Sequence, residues 1–128
     1  MKLAILLAFS CLVPNVHAQG KTDLLRSQNV FRAKCAACHS VACNRRGPKL
    51  EGLMGRPAGS VVDFMNYSLE LKDSRIVWSE QAVDEFIKDP GKMVPGTSMA
   101  GWRIEGAQDR RDIIAHIRRQ DKSIDLCL

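Results

Sequence analysis

Apolar residues recur at helical spacing in several stretches of the chain, and at the alternating spacing of a strand in none. From about Thr22 to Lys34, Leu24, Leu25, Phe31 and Cys35 trace one helical face, with polar Gln28 as its gap. Thr22 stands where a cap would, and Asp23 in the first turn suits the positive end of a helix dipole. Phe31 reads as a core residue. A short helix is expected after Ser68, whose hydroxyl precedes the turn. Ser79 is a better cap: Glu80 follows, and Ala82, Val83, Phe86 and Ile87 make an apolar stripe that Pro90 stops. The last helix is expected from about Ala107 to Gln120, with Asp109 early, Arg118 and Arg119 late, and Ile113, Ile114 and Ile117 facing the core. Asn44 to Pro48, the glycine-rich stretch from Gly52 to Gly59, and Val94 to Gly101 are loops by composition. The pattern predicts an all-α domain, with much unpatterned chain wrapped round its middle.

The first residues follow another rule. Lys2 precedes the apolar run Leu3 to Val13, and Val16-His17-Ala18 offers small residues at the cleavage-determining positions. This reads as a secretory signal peptide over residues 1–18, too short to remain as a membrane anchor, with one domain over 19–128. No other stretch is apolar enough to span a bilayer, so no stable membrane anchor is expected. The expected location is the periplasm.

Cys35-Ala36-Ala37-Cys38-His39 is the stretch around which the chain is organised. Two thiols three positions apart, with an imidazole directly after the second, form the attachment pattern for a c-type haem. Each thiol adds across one porphyrin vinyl group, and the histidine is then held where a ring nitrogen can bind iron. Two other readings stand beside this one. A structural zinc site would have to draw its ligands from Cys35, Cys38, His39 and Cys43, crowded into nine residues. A redox-active dithiol expects a βαβ setting that the pattern lacks. Of the remaining cysteines, Cys11 leaves with the signal segment. Cys43 and Cys127 are then an even remainder in an oxidising compartment, either paired as a disulfide or left as two thiols.

The formal charge is +5; loss of residues 1–18 removes Lys2 and no acid, leaving +4. Basic residues flank the motif, among them Lys34, Arg45, Arg46 and Lys49, with Lys72 and Lys92 beyond. None forms a run interleaved with aromatics, which argues against nucleic acid as a partner. A mildly basic face suits acidic partners, or is an ordinary solvated surface.

Taken together, Phe31 with CAACH, GPKLEGLMGRPAG from Gly47, Tyr67-Ser68, IVW ending at Trp78, Pro90, PGTSM ending at Met99 and DIIA in the last helix resemble class I cytochrome c, of the mitochondrial and related bacterial branch. The resemblance covers nearly all of the chain after the signal segment. It implies crossed first and last helices, meeting through Phe31 and Ile113 or Ile117, around one covalently attached haem c. His39 would be one axial ligand, its other ring N–H donated to the Pro48 carbonyl. Met99 would be the second, with Met93, Met54, Met65 and His116 as the other candidates. Arg56, Tyr67 and Trp78 would reach the haem propionates, Thr97 would back one of them, and Phe86 would pack near the Met99 sulfur. Ser27 stands where the family commonly has glycine, implying a looser crossing. Gly101-Trp102 stands where a phenylalanine often guards the exposed haem edge, and Trp102 would take over that shielding.

Iron held on both sides leaves no open position for substrate, and no nucleophile–base constellation appears elsewhere. The resemblance thus implies a monomeric, non-enzymatic one-electron carrier between a reductase and an oxidase or peroxidase with acidic docking faces. Two readings compete with it: a dedicated cytochrome subunit of a periplasmic dehydrogenase, and a ligand-responsive or peroxidatic haem protein in which Met99 leaves the iron readily.

Overall fold

The computed structural model describes residues 16–120, 122 and 127, with side chains from residue 23 onward. The segment read as a signal peptide lies outside these residues as far as position 15. The elements are α1 (Val16–Lys34), α2 (Leu69–Asp73), α3 (Glu80–Lys88), α4 (Pro90–Met93) and α5 (Ala107–Arg118). No strand forms among the described residues; a single antiparallel bridge joins Pro57 and Val77. The fold is all-α, as the hydrophobic pattern predicts.

The first helix starts earlier than expected. Its backbone is helical from Val16, so Thr22 lies inside it and not at its cap, and the helix runs through the cleavage point expected after Ala18. Gly20 is the only poor helix former in between, and one interior glycine costs only about 1 kcal/mol. The buried side of α1 is centred on Ser27 and Phe31, each 1% exposed, which leaves Leu25 on the outside at 51%. One turn separates Ser27 from Phe31, and Leu25 falls off that stripe.

α5 packs against α1 and against α3. Phe31 stacks on the ring of fully buried His116 with centroids 4.3 Å apart, and Ile113 and Ile117 close the contact. Ser27 does not leave a gap in this interface. Its hydroxyl donates to Leu24 O at 2.8 Å and accepts from the Arg119 guanidinium. Arg26 adds an ion pair to Asp112 of α5 at 2.6 Å.

Local signals set the shorter helices. The Ser68 hydroxyl accepts from Leu71 N and that of Ser79 from Ala82 N, each satisfying an otherwise orphaned donor. Pro90 does more than end α3. Asp89 closes α3 and then caps α4, its carboxylate accepting from Lys92 N at 3.1 Å, with Pro90 in the first turn. Proline has no N–H to lose there and brings a preset φ. The hydrophobic pattern missed α4 because four residues are too few to show a period.

The long segment between α1 and α2 is held by a few backbone bonds. Leu50 N donates to Ser40 O and Glu51 N to Val41 O, while Trp78 N donates to Arg56 O and Gly55 N to Trp78 O. A disulfide joins Cys43 to Cys127.

Candidate functional site

A cavity of about 510 Å³ opens in the middle of this fold, with walls drawn from α1, α3, α5 and the loops between them. Most of its lining is apolar: Leu50, Leu53, Phe64, Leu71, Trp78, Val83, Phe86, Ile113 and Ile117. The last turn of α1 brings the two thiols and the imidazole to it. Cys35 N donates to Phe31 O and His39 N to Cys35 O, both at 2.8 Å, so the motif continues the helix as a turn. Burial pushes the Cys35 thiol up to about 12.

His39 is oriented from behind. Its Nδ1 lies 2.8 Å from Pro48 O. A carbonyl only accepts, so Nδ1 carries the hydrogen and Nε2 keeps its lone pair for a metal. Burial lowers the His39 pKa more than the Pro48 carbonyl raises it, which favours the neutral, ligating form. The ring needs room that only glycine leaves. An ideal Cβ on Gly47 would lie 2.3 Å from His39 Cε1 and 2.7 Å from each ring nitrogen. Read in the sequence, Gly47-Pro48 signals only a turn; the close approach of the ring to its backbone becomes evident in three dimensions.

Met99 lines the same cavity on the loop after α4. That loop is a chain of turns: Thr97 N donates to Val94 O, Ala100 N to Thr97 O and Trp102 N to Met99 O. Gly96 has φ +94, and an added Cβ would strike the Glu70 side chain at 2.7 Å, so the turn is also closed from the α2 side. The other proposed sulfur and imidazole ligands are elsewhere. Met65 is 79% exposed, Met54 and Met93 pack on the core, and His116 is buried against Phe31. None of the four lines the cavity.

Arg56, Tyr67, Trp78 and Thr97 all line it. Trp78 meets Phe86 edge-on with centroids 5.1 Å apart, and Tyr67 meets Phe64 similarly at 4.8 Å. Arg56 donates to the carbonyls of Glu51 and Lys49 at 2.7 and 3.0 Å, which fixes its guanidinium beside the cavity. Burial raises the Tyr67 pKa, against the opposing pull of its hydrogen bond to the Val61 backbone. Trp102 stands at the mouth, 58% exposed. Every charged residue of the lining is basic: Lys34, Arg46, Arg56 and Arg103. Lys34 and Arg103 are backed by Asp109 and Asp89 at 3.6 and 3.3 Å, which tempers the field at the rim.

The zinc reading lacks donors. Among the described residues no three His, Cys, Asp or Glu side chains gather to hold a metal ion, and Cys43 is already joined to Cys127. The dithiol reading lacks its βαβ setting, since no described residue belongs to a strand. What remains is a large, mostly apolar slot whose lining includes two thiols, an imidazole lone pair and, from the loop after α4, a thioether.

The family model described as "Cytochrome c" matches residues 25–121. The chain belongs to the cytochrome c family. Cytochrome c of Gibberella zeae is 37% identical over 103 residues, covering 78% of this chain and 96% of its own. Cytochrome c of Arabidopsis thaliana is 34% identical over 113 residues, covering 86% of this chain and 98% of its own. Among solved structures, cytochrome cH from Methylobacterium extorquens superposes with a TM-score of 0.69 at 34% identity, covering 76% of this chain and 98% of its own. The all-α fold is thus that of a class I cytochrome c, and membership brings one covalently bound haem c and the coarse role of electron carrier.

This chain's residues fit that group. Cys35 and Cys38 are the free cysteines at the cavity, the tautomer of His39 suits a ligand, and the mostly apolar lining suits an apolar ring. When bound, haem supplies an iron that exchanges one electron between its ferrous and ferric states. The chain's own part is to hold, orient and insulate it.

Proposed function

We propose that this cytochrome c is an exported, monomeric, non-enzymatic one-electron carrier whose iron is held between His39 and Met99. The observation that carries the reading is that, among the methionines of the described residues, Met99 alone lines the cavity that His39 also lines. A thioether is a soft ligand that favours the ferrous state, so a His–Met pair in an apolar slot raises the potential. His39 and Met99 would hold the iron from two sides, and this chain would then leave no ligand position for a substrate. Cys35 and Cys38 carry the thioether bonds; Arg56, Tyr67, Trp78 and Thr97 serve the propionates; Pro48 and Phe86 complete the pocket.

Residues 1–18 direct export to the periplasm. No helix among the described residues is long and apolar enough to cross a membrane. The uniformly basic charges of the cavity lining favour partners with acidic docking faces, a reductase on one side and an oxidase or peroxidase on the other.

Visible spectra of the purified protein in both redox states test this. The ferric form is expected to show the weak far-red sulfur–iron band, and Met99→Ala to abolish it. Survival of the band in Met99→Ala, or rapid binding of carbon monoxide by the ferrous wild type, refutes the reading.

A further inference from the structure

The mouth of the cavity carries a weaker charge than its lining suggests. Lys34, Arg46, Arg56 and Arg103 line the cavity, and no acidic side chain does. Two acids stand just behind this rim. Asp109, in the first turn of α5, lies 3.6 Å from Lys34, and Asp89, between α3 and α4, lies 3.3 Å from Arg103. Neither reaches the cavity wall.

Each acid also has a structural duty. Asp109 lies 3.6 Å from Arg26 as well, and Arg26 is held by Asp112 at 2.6 Å, so Lys34 belongs to a group of two bases and two acids. The Asp89 carboxylate accepts from Lys92 N and caps α4. On its outer side Arg103 borders a groove in which Glu85, Asp89 and Glu105 balance Lys88, Lys92 and Arg103 itself. The side chains of the two rim pairs keep 28–59% of their surface in water, so each pair is weak as a stabilising contact. Their effect on the field is larger. To a charged partner still in solution, a base with an acid beside it is a dipole and no longer a net charge.

We propose that Asp89 and Asp109 are specificity-determining residues of the docking face: each offsets one positive charge of the cavity mouth and so holds the encounter with an acidic partner below the rate that the basic lining alone would give. The inference rests on the proposed carrier role with acidic partners. It goes beyond that role by assigning the strength of the docking face to two residues outside the cavity. Electrostatic attraction speeds encounter, and close opposite charges slow release. A carrier that visits two partners needs both steps, and a mouth bearing its full basic charge would dock sooner and leave later.

The test uses the haem-loaded ferrous protein with two oxidants, the trianion hexacyanoferrate(III) and the trication tris(phenanthroline)cobalt(III). In either case one electron leaves the ferrous haem and lowers the reagent's metal from the trivalent to the divalent state; no bond or proton moves. Asp89→Asn and Asp109→Asn keep an acceptor oxygen, and asparagine caps a helix as well as aspartate does, so the charge alone is removed. Glu80→Gln is the control. It changes the net charge equally, but Glu80 pairs with Arg118 at the other end of α5, roughly 14 Å along the helix from Asp109. That exceeds the Debye length of about 10 Å at 0.1 M salt. The readout is the ratio of the two oxidation rates, in which any change of potential cancels. A second readout involves no electron transfer: the salt needed to elute the ferric protein from a carboxylate resin.

Each asparagine variant is expected to react roughly twofold faster with the trianion and roughly twofold slower with the trication, for charges meeting about 10 Å apart at 0.1 M salt. The ratio then rises about fourfold, and further at low salt. Both variants should also elute later than Glu80→Gln, whose ratio stays near the wild-type value. If the ratios of the asparagine variants match the wild type or Glu80→Gln, the two acids are only structural and the proposal is overturned. If the wild-type rate with the trianion does not fall as salt is added, the mouth is not a basic docking face. The reading of acidic partners then fails, and the tuning role falls with it.

Discussion

Gly47→Ala adds a single carbon where the structure leaves no space for one. The new methyl would sit 2.3 Å from His39 Cε1 and 2.7 Å from Nδ1 and Nε2, against an ordinary carbon contact of about 3.5–4.0 Å. Neither partner can retreat easily. The backbone at Gly47 donates to Cys38 O and accepts from Arg45 N, and the ring is tied to Pro48 O. The simplest relief is a tilt of the ring that gives up the Pro48 bond. Overpacking of this kind costs about 1–3 kcal/mol, and a buried polar group left unpaired costs about 1–3 kcal/mol. One tilt relieves part of both, so a net loss of about 2–4 kcal/mol is expected. For a domain of this size that lowers the melting temperature by roughly 4 °C per kcal/mol. Thermal unfolding of the ferric, haem-loaded protein measures it, with the His39 resonances as a second readout. Gly101→Ala is the control, because nothing lies within 4 Å of an added Cβ there. Should Gly47→Ala melt with the wild type and leave His39 undisturbed, the steric argument is wrong.

Other expectations follow from the same geometry. The Arg110 side chain is 8% exposed, pairs with Asp84 at 2.8 Å and donates to the carbonyls of Ile104 and Glu105. Arg110→Ala should cost about 2–4 kcal/mol in urea unfolding, less than a fully buried pair because Asp84 is partly solvated. Arg118→Ala, which breaks an exposed pair with Glu80, should cost at most about 1 kcal/mol; equal losses would refute the burial argument. Tyr67 is the only tyrosine, and burial raises it above its ordinary 10.0, so its phenolate band should appear late in an alkaline titration. The folded state then holds its proton longer than the unfolded chain. Stability is undiminished below the ordinary tyrosine value and falls as pH rises through the raised one. A midpoint at the ordinary value, or a transition that persists in Tyr67→Phe, would count against this.

Much of the fold was legible because its signals act over a few residues. Ser68 and Ser79 cap their helices as their hydroxyls suggest, since a cap needs only the two or three N–H groups that follow it. The isoleucines of α5 face inward because helical spacing puts them on one side. The same locality explains two failures. Thr22 resembles a start, yet nothing before it forces the helix to begin there, and α4 is too short to carry a period.

The motif CAACH, by its spacing alone, made haem the foremost reading, because the geometry of two vinyl groups and one iron is written into five consecutive residues; the fold and the family then removed the zinc and dithiol readings. Only the tertiary structure decided what surrounds it. His39 is 9 residues from the carbonyl that orients it. The disulfide that starts in the loop between them spans 84. Met99 enters the cavity while Met54, Met65 and Met93 do not, although all four are methionines in or near loops. Sequence spacing cannot rank such choices, because each depends on how the chain closes on itself. The turn between His39 and Pro48 left space for an imidazole and nothing more.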